Sequence, residues 1–332
     1  MRRLPPAVLC AVLLAALVLA GCGLSSGSPS LPGATLVLDF TPNPVHAGIY
    51  EALARGDDVR DGFRLRVVAP SASTDSIRLL ETGRADYAIL DIHDLALARA
   101  RGQRIVGIMG IVQQPLAAVI AAPSVSSPRR LAGRTVGVSG VLSDTAVLDS
   151  IVAGAGGRPS RVKAITIGFN AVADLLAGRV AAATAFWNDE GVTLRTRRPG
   201  FHIFRVDQYG APAYPELVLA ATATALRARP ELTKDVVRAL TTGYQQVVRQ
   251  PASGAQALRQ LVPGLDPRLL DAELRGLLPV FRGPSGRVGA LDPGRLAAWA
   301  RWERRFGIVT RTPDVGAMFT QRYLPPAPRH RR

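Results

Sequence analysis

Apolar and polar positions follow two alternating periodicities between residues 35 and 112. Short apolar runs bounded by turn residues predict buried strands at residues 35–40, 63–70, 85–91 and 104–112. The segments between them place apolar side chains three and four positions apart and end at glycines, which predicts helices at residues 46–56, 73–83 and 93–102. Strands that alternate with such helices indicate an α/β unit with a parallel sheet.

The same pattern starts again after an apolar run at residues 115–123. Strands are predicted at residues 135–140, 163–168 and 181–187, and helices at residues 143–156 and 170–178. LLETGRADYAIL (residues 79–90) and LLAGRVAAATAF (residues 175–186) both run from a helix end through Gly-Arg into a buried strand. We therefore expect two α/β lobes, with crossings near residues 122–127 and 214–222.

Beyond residue 222 the pattern becomes helical. Four amphipathic stretches follow, each with a proline near its start, at residues 230–250, 251–262, 266–278 and 292–309. Because these stretches return the chain to its first half, we expect residues 35–122 and 220–324 to form the first lobe and residues 123–219 to form the second. The basic end, residues 325–332, is expected to be disordered.

The first residues predict export. Arg2 and Arg3 precede an apolar run from Val8 to Ala20, which is too short for a membrane span of about 20 residues and typical of a signal peptide. The run ends in LAGC, which resembles a bacterial lipobox. We expect residues 1–21 to be removed and Cys22 to carry a lipid that anchors the protein to the outer face of the cell membrane. Residues 22–34 then form a flexible tether rich in Gly and Ser.

Cysteine content and charge narrow the classes of function. Cys10 and Cys22 are the only cysteines, so the chain beyond the leader has no internal disulfide, no thiolate metal site and no cysteine nucleophile. The formal net charge of +16 becomes +14 without Arg2 and Arg3. An excess of positive charge is typical of nucleic-acid binders. The arginines, however, are scattered along the chain, and the sequence has no aromatic strand of the kind that binds RNA. A bias of the gene towards GC-rich codons explains the many arginines better, and we therefore expect no nucleic-acid partner.

Loops that follow the predicted strands carry the candidate binding residues, because ligands of open α/β sheets bind beyond the carboxyl ends of the strands. The candidates on these loops and at the second crossing are Phe40, Asn43, His46, Asp91, Gln113, Ser139, Ser143, Trp187, Asn188, Glu190 and Tyr214. GVSGVLSD, residues 137–144, could bind a polar edge of a ligand with its backbone N–H groups, or form a plain turn capped by Ser143. It lacks the motif of a phosphate loop and the spacing of a dinucleotide fingerprint.

Metal and hydrolytic chemistry find little support in the sequence. His93 and His202 have no partner at a metal-ligand spacing, and the chain has no G-x-S-x-G motif. WNDEG, residues 187–191, could form a stacking surface beside an acceptor for ligand N–H groups, or an acidic helix start. A hydrolase would need a second acid across a cleft. No catalytic residue, metal or cofactor is predicted.

Several segments together resemble the NMT1/THI5-like substrate-binding proteins of ABC transporters. They are LDFTPNPVHAGIY, LLETGRADYAI, IMGIVQQPLAAVIA, LAGRTVGVSG and ITIGFNAVADLLAGRVAAATAFWNDEG, and the similarity covers about residues 35–309. The first is similar to the Leu-Asp-Trp-x-Pro-Asn-x-x-His-x-Gly loop of the branch that binds pyrimidine precursors of thiamine, with Phe40 in place of Trp. The loop at residues 137–140 lacks the Trp of that branch.

The resemblance implies a type II periplasmic-binding-protein fold, in which two α/β lobes joined by two crossing segments close on a ligand. It implies that Phe40, Asn43 and His46 line the cleft from the first lobe, while Trp187 and Glu190 approach from the second. The expected partners are a small-molecule ligand and an ABC permease driven by a separate ATPase, and the protein is expected to be a monomer.

The resemblance leaves the ligand open. A flat nitrogen heterocycle would use Phe40 and Trp187 as ring faces, Glu190 as an acceptor and Asn43 or His46 as a donor. Similar proteins carry nitrate, sulfonates or riboflavin-like compounds, but no arginine lies on the first loop or in WNDEG, which favours an amino-pyrimidine. Some fungal relatives are synthases that use pyridoxal phosphate held by a lysine. The only lysines, Lys163 and Lys234, lie off the candidate loops, so a non-catalytic binding protein is predicted.

Overall fold

Two five-stranded sheets form the framework of the computed structural model, which describes residues 31–72 and 74–326. Its strands are Gly33–Val37 (β1), Arg64–Val68 (β2), Tyr87–Asp91 (β3), Ile105–Gly110 (β4), Ala117–Ala121 (β5), Thr135–Val138 (β6), Lys163–Thr166 (β7), Ala182–Phe186 (β8), His202–Arg205 (β9) and Leu217–Thr222 (β10). The first sheet has the order β2-β1-β3-β10-β4, and the second has the order β7-β6-β8-β5-β9. The short strand β9 was not predicted from the sequence.

Helices connect and cover the strands. They are Ala47–Ala54 (α1), Asp57–Arg60 (α2), Asp75–Glu81 (α3), Ile92–Ala100 (α4), Asp144–Gly154 (α5), Ala171–Leu176 (α6), Glu190–Arg197 (α7), Ala223–Ala228 (α8), Pro230–Arg249 (α9), Pro251–Leu261 (α10), Pro267–Leu277 (α11), Pro293–Arg305 (α12) and Val315–Met318 (α13). Short 3-10 helices occur at Pro44–His46, Pro128–Leu131, Pro159–Arg161, Val206–Tyr209 and Leu278–Val280. The predicted two α/β lobes with a helical C-terminal segment are confirmed.

Each sheet contains one antiparallel strand that arrives from the opposite lobe. In the first sheet β1 runs parallel to β2 and β3, whereas β10 lies antiparallel between β3 and β4. In the second sheet β6 runs parallel to β7 and β8, whereas β5 lies antiparallel between β8 and β9. The sheets are therefore mixed rather than purely parallel, and the two crossings insert a strand into the interior of each sheet.

The lobe boundaries predicted from the sequence need correction. Residues 117–121 were assigned to the first lobe, but β5 pairs in the second sheet, so the first crossing lies at residues 111–116. The whole of β10 pairs in the first sheet, so the second crossing ends before Leu217. The apolar run that forms β5 predicts a buried strand, but buried strands of either sheet have the same pattern.

The helical C-terminal segment packs on the first lobe. Helices α9 and α10 pack against α1, and α9 carries ten buried residues along one face. Two large apolar clusters result, one of which joins this helical layer to the first sheet, while the other extends through both lobes. The C-terminal helices therefore complete the core of the first lobe, as the amphipathic pattern predicts.

The predicted leader at residues 1–21, Cys22 and most of the predicted tether and tail lie outside the described residues. Among residues 31–72 and 74–326, no helix is long and apolar enough to span a membrane.

Candidate ligand-binding cleft

A cleft lies between the two lobes at the carboxyl ends of their central strands. It encloses about 870 Å³ of empty space, including its open mouth. Loops after β1, β6 and β7 and the ends of β3 and β8 line it, as the rule for α/β sheets requires. Phe40 from the first lobe and Phe169 from the second meet edge to face across it, with ring centroids 4.4 Å apart.

Acidic side chains dominate the polar lining of the cleft. Five carboxyl groups line it, those of Asp39, Asp91, Asp94, Asp144 and Glu190, and its described lining contains no Lys, Arg or His. Burial raises the pKa of Asp94 to about 8 and, with the nearby charge of Asp189, raises that of Glu190 to about 8. Burial also raises the pKa values of Asp91 and Asp144. A ligand that donates N–H groups or carries positive charge would relieve this crowding of carboxyl groups, whereas an anion would add to it.

The first loop holds Asp39 at the edge of the cleft through a chain of hydrogen bonds. The Asn43 side chain accepts from the N–H of Val45 (2.8 Å), and the Asn43 N–H donates to Nδ1 of His46 (3.2 Å). Because Nδ1 accepts, the proton of the neutral ring is on Nε2, which donates to Oδ1 of Asp39 (2.8 Å). His46 thus positions Asp39 and Asn43 holds His46, and both are buried and absent from the lining of the cleft.

The helical layer fixes this loop from behind. The buried Tyr244 of α9 donates its hydroxyl hydrogen to the carbonyl oxygen of Val45 (2.8 Å). Its ring packs directly on Gly48, where an added Cβ would come within 2.2 Å of the Tyr244 ring. Gly48 therefore allows α1 and α9 to approach closely, which explains why the first loop leads into a glycine.

Three contacts join the lobes across the cleft. The Phe40–Phe169 pair is the first. Second, the buried carboxylate of Asp94, on α4 of the first lobe, accepts from the N–H of Ser143 in the second lobe (3.0 Å). Third, α11 of the first lobe packs on α7 of the second. The described lobes are thus in direct contact through aromatic, polar and helix–helix packing contacts.

Five of the eleven residues predicted from the sequence line the cleft: Phe40, Asp91, Ser139, Ser143 and Glu190. The other six, Asn43, His46, Gln113, Trp187, Asn188 and Tyr214, do not line it, and the ligand contacts predicted for them stay predictions. Local hydrogen bonds and hinge packing take up most of these side chains.

Gln113 and Trp187 belong to the crossing region. The Gln113 side-chain amide donates to the carbonyl oxygen of Ala290 (2.9 Å). The Trp187 indole N–H donates to the carbonyl oxygen of Pro115 in the first crossing (2.9 Å), and the Arg205 guanidinium lies 4.5 Å from the centre of its ring. Trp187 does not line the cleft, whereas Phe169 supplies a second aromatic face there beside Phe40.

Tyr214 and Asn188 are buried away from the cleft. The Tyr214 hydroxyl pairs with Nε2 of His93 (2.9 Å), and Nδ1 of His93 pairs with Glu303. Asp91, His93 and Glu216 place possible ligand atoms within 4.8 Å of one another, but both ring nitrogens of His93 are engaged, so this cluster does not suit a metal ion. The Asn188 amide has no hydrogen-bonding partner among the described residues.

Sequence reasoning missed several residues of the lining. Phe169 lies on the loop after β7, a position that the strand-end rule already indicates. Asp144 lies at a predicted helix start, and Asp94 lies inside a predicted helix with no local signal for a cleft. Thr184 lies within a strand, and Asp39 was quoted as part of the first loop without a role. Only the packing of the two lobes brings these side chains together.

The two lobes, the double crossing and the cleft between them define the type II periplasmic-binding-protein fold. Within that class, the chain belongs to the NMT1/THI5-like family, whose family model matches residues 43–253. The formylaminopyrimidine-binding protein of Halalkalibacterium halodurans is 30% identical over 293 residues, which cover 85% of this chain and 88% of that protein. A 4-amino-5-hydroxymethyl-2-methylpyrimidine phosphate synthase of Legionella pneumophila is 23% identical, over 89% of this chain and 93% of that protein.

A solved structure agrees on the fold. The alkanesulfonate-binding protein SsuA of Xanthomonas axonopodis pv. citri, bound to MOPS, superposes with a TM-score of 0.70 at 15% identity. The match covers 88% of this chain and 99% of that structure. At this identity the likeness supports the fold alone.

The positions of the two lysines do not fit a pyridoxal-phosphate Schiff base at the cleft. Lys163 is exposed at the start of β7, and Lys234 on α9 forms an ion pair with Glu231 (2.8 Å). Neither lysine lines the cleft, so no side chain of this chain supplies the amine that such an enzyme requires.

Proposed function

We propose that this chain is the solute-binding protein of an ABC importer and that it captures a small flat nitrogen heterocycle, such as a pyrimidine precursor of thiamine. The observation that supports this most strongly is the composition of the cleft, where an aromatic pair from opposite lobes meets five carboxyl groups and no described basic side chain. The formylaminopyrimidine-binding relative supports the same class of ligand.

The chemistry of an amino-pyrimidine matches this lining. Its ring can stack on an aromatic face, a contact worth about 0.5–1.5 kcal/mol beyond area burial. Its exocyclic amine and any protonated ring nitrogen donate hydrogen bonds to carboxylates, and such charge-assisted bonds contribute about 1.5–3 kcal/mol each. Phe40 or Phe169 would supply the face, and Glu190 or Asp144 would accept the N–H groups.

Binding of the ligand would favour the closed arrangement, because the residues that line the cleft come from both lobes. A ligand at a hundredfold excess over its dissociation constant stabilises the folded protein by about 2.7 kcal/mol. A membrane permease with a separate ATPase would then receive the ligand from the closed protein, which acts as a monomer without a nucleic-acid partner.

The protein is proposed to bind its ligand without chemical change. Synthases occur among its relatives, but the two lysines lie away from the cleft, and the carboxyl groups have the role of hydrogen-bond acceptors. Incubation with a pyrimidine followed by mass spectrometry should return the compound intact. Turnover would place the protein with the synthases instead.

A calorimetric panel tests the proposed ligand. The mature protein is titrated with a formylaminopyrimidine, an aminopyrimidine, riboflavin, an alkanesulfonate and nitrate, and only the pyrimidines should bind. Phe40→Ala should weaken that binding about tenfold while Phe40→Trp retains it, because only the latter keeps an aromatic face. Phe306→Ala, on a Phe outside the cleft, serves as the control. Binding of the sulfonate or nitrate alone would refute the heterocycle and leave the importer intact.

Export and lipid anchoring are proposed from the leader sequence. The segment at residues 8–20 and the LAGC that follows support removal of residues 1–21 and lipidation of Cys22. An anchored position outside the cell membrane suits a protein that hands its ligand to a permease.

A further inference from the structure

The carboxylate of Asp144 lies at the N-terminus of α5 and takes up the donors of the loop before it. Oδ2 accepts from the Ser139 hydroxyl (2.9 Å) and from the N–H of Gly140 (2.7 Å). Oδ1 accepts from the hydroxyl of Thr184 in β8 (2.9 Å). Asp144, Ser139 and Thr184 all line the cleft. A carboxylate has about four acceptor positions, and these hydrogen bonds use three of them.

A second aspartate in the first lobe shows what is particular to Asp144. Asp75 also begins a helix, α3, and accepts from the N–H groups of Ser71 and Ala72 (2.9 Å each). It forms an ion pair with Arg78, which holds its pKa well below the usual range, and it does not line the cleft. Asp144 forms no ion pair among the described residues, and burial raises its pKa. Arg78 of the same helix neutralises Asp75, whereas no described side chain does this for Asp144.

The N-terminus of an eleven-residue helix with nearby hydroxyl and backbone donors is an arrangement that suits a bound anion. In this cleft the anion is part of the protein. We propose that Asp144 occupies the position that a phosphate, sulfonate or nitrate group would take, and that it thereby selects an uncharged or cationic ligand that points an N–H group at its free acceptor position. This inference builds on the proposed function, since it concerns the ligand class of the same cleft.

The selection works through both charge and space. An anionic group that approached the loop would find the donors of Ser139, Gly140 and Thr184 already occupied, and it would meet the carboxyl groups of Asp144 and the neighbouring Glu190 in place of a basic side chain. A phosphorylated heterocycle is therefore excluded on the same grounds as a sulfonate, while the unphosphorylated compound is accepted. A purely structural Asp144 would stabilise the helix start and have no effect on which ligands bind.

Two variants separate these roles. Asp144→Ala opens the position and leaves its donors free, so nitrate or formate should bind saturably and raise the melting temperature, while the affinity for an aminopyrimidine falls at least about tenfold. Asp144→Asn fills the same space without charge, so this variant should bind the aminopyrimidine more weakly and should not bind nitrate or formate. Asp174→Ala, which removes a carboxylate of the same lobe that pairs with Arg179 outside the cleft, is the control and should show neither change.

Calorimetry and thermal shift with nitrate, formate and an aminopyrimidine decide the outcome. The inference is supported if Asp144→Ala binds the anion saturably and the wild type does not. If the wild type also binds no pyrimidine, the inference about anions still stands and only the proposed ligand is wrong. Wild-type binding of nitrate, or aminopyrimidine affinity unchanged in Asp144→Asn, would overturn it. If Asp144→Ala does not fold, nitrate binding by the wild type and aminopyrimidine binding by Asp144→Asn still test the inference.

Discussion

Glu216 connects the two crossings between the lobes, and its removal should destabilise the protein strongly. The side chain is fully buried at the end of the second crossing. Its Oε2 accepts from the N–H groups of Leu116 (2.5 Å) and Ala117 (3.2 Å), where the first crossing enters β5. Its own carbonyl oxygen accepts from the N–H of Ile92 (2.9 Å). One residue thus joins both crossings to the start of α4.

The size of the effect follows from the two amide donors. Glu216→Ala leaves the N–H groups of Leu116 and Ala117 buried without their acceptor, and each such loss costs about 1–3 kcal/mol. The free energy of unfolding should therefore fall by about 2–6 kcal/mol, a large part of the 5–15 kcal/mol that is typical of folded proteins. Glu216→Gln keeps an acceptor oxygen, and burial already raises the pKa of Glu216, so a neutral side chain should cost less than about 1.5 kcal/mol.

Urea unfolding followed by circular dichroism at pH 7 measures both variants. Glu231→Ala is the control, because Glu231 is exposed and its ion pair with Lys234 should contribute less than about 1 kcal/mol. The reasoning is refuted if Glu216→Ala costs no more than the control. It also fails if the Gln variant is as unstable as the Ala variant, since the acceptor oxygen would then be irrelevant.

Two further predictions concern pH and processing. Burial raises the pKa values of Asp94 and Glu190 to about 8 and that of Glu273 to about 9, so the folded state binds more protons than the unfolded state. The stability of the ligand-free protein should be greatest near pH 4 and fall towards pH 8–9, because these groups must lose their protons in the folded state as the pH rises. Urea midpoints that rise from pH 5 to pH 8 would contradict this. Cys22→Ala should abolish lipid labelling and release the protein from the membrane fraction, and unchanged membrane association would show that Cys22 is not the anchor.

The strand-end rule accounts for the part of the site that the sequence predicts. Phe40, Ser139 and Ser143 follow β1 and β6, Asp91 ends β3, and Glu190 follows β8. Parallel strands therefore deliver these residues to the same edge of their sheets. The rule holds because the direction of the backbone alone determines at which edge of the sheet a strand ends. Which face of a turn a side chain occupies depends instead on contacts that form only in the folded chain.

Trp187 illustrates that limit. It precedes Glu190 by three residues, and its ring has the size and polarity expected of a ligand-stacking group. The carbonyl oxygen of Pro115, some seventy residues earlier in the chain, accepts its N–H and holds the ring at the crossing. His46 is a second case, because its two nitrogens are taken up by the Asn43 backbone and Asp39. The Trp187 pairing leaves no local pattern in the sequence, whereas that of His46 with Asn43 is a capping box three residues apart at the helix start.

The carboxyl groups of the cleft link closure to the ligand. Asp94 contacts Ser143 across the lobes, and burial of Glu190 and Asp144 in this arrangement raises their pKa values because a buried charge is costly. Without a ligand, closure near neutral pH must therefore take up protons or bring negative charges together. A ligand with N–H donors supplies the missing hydrogen bonds instead, so it stabilises the closed form more than the open one. Such a difference in affinity is what a ligand needs to shift a conformational equilibrium, and an anion would lack it in this cleft.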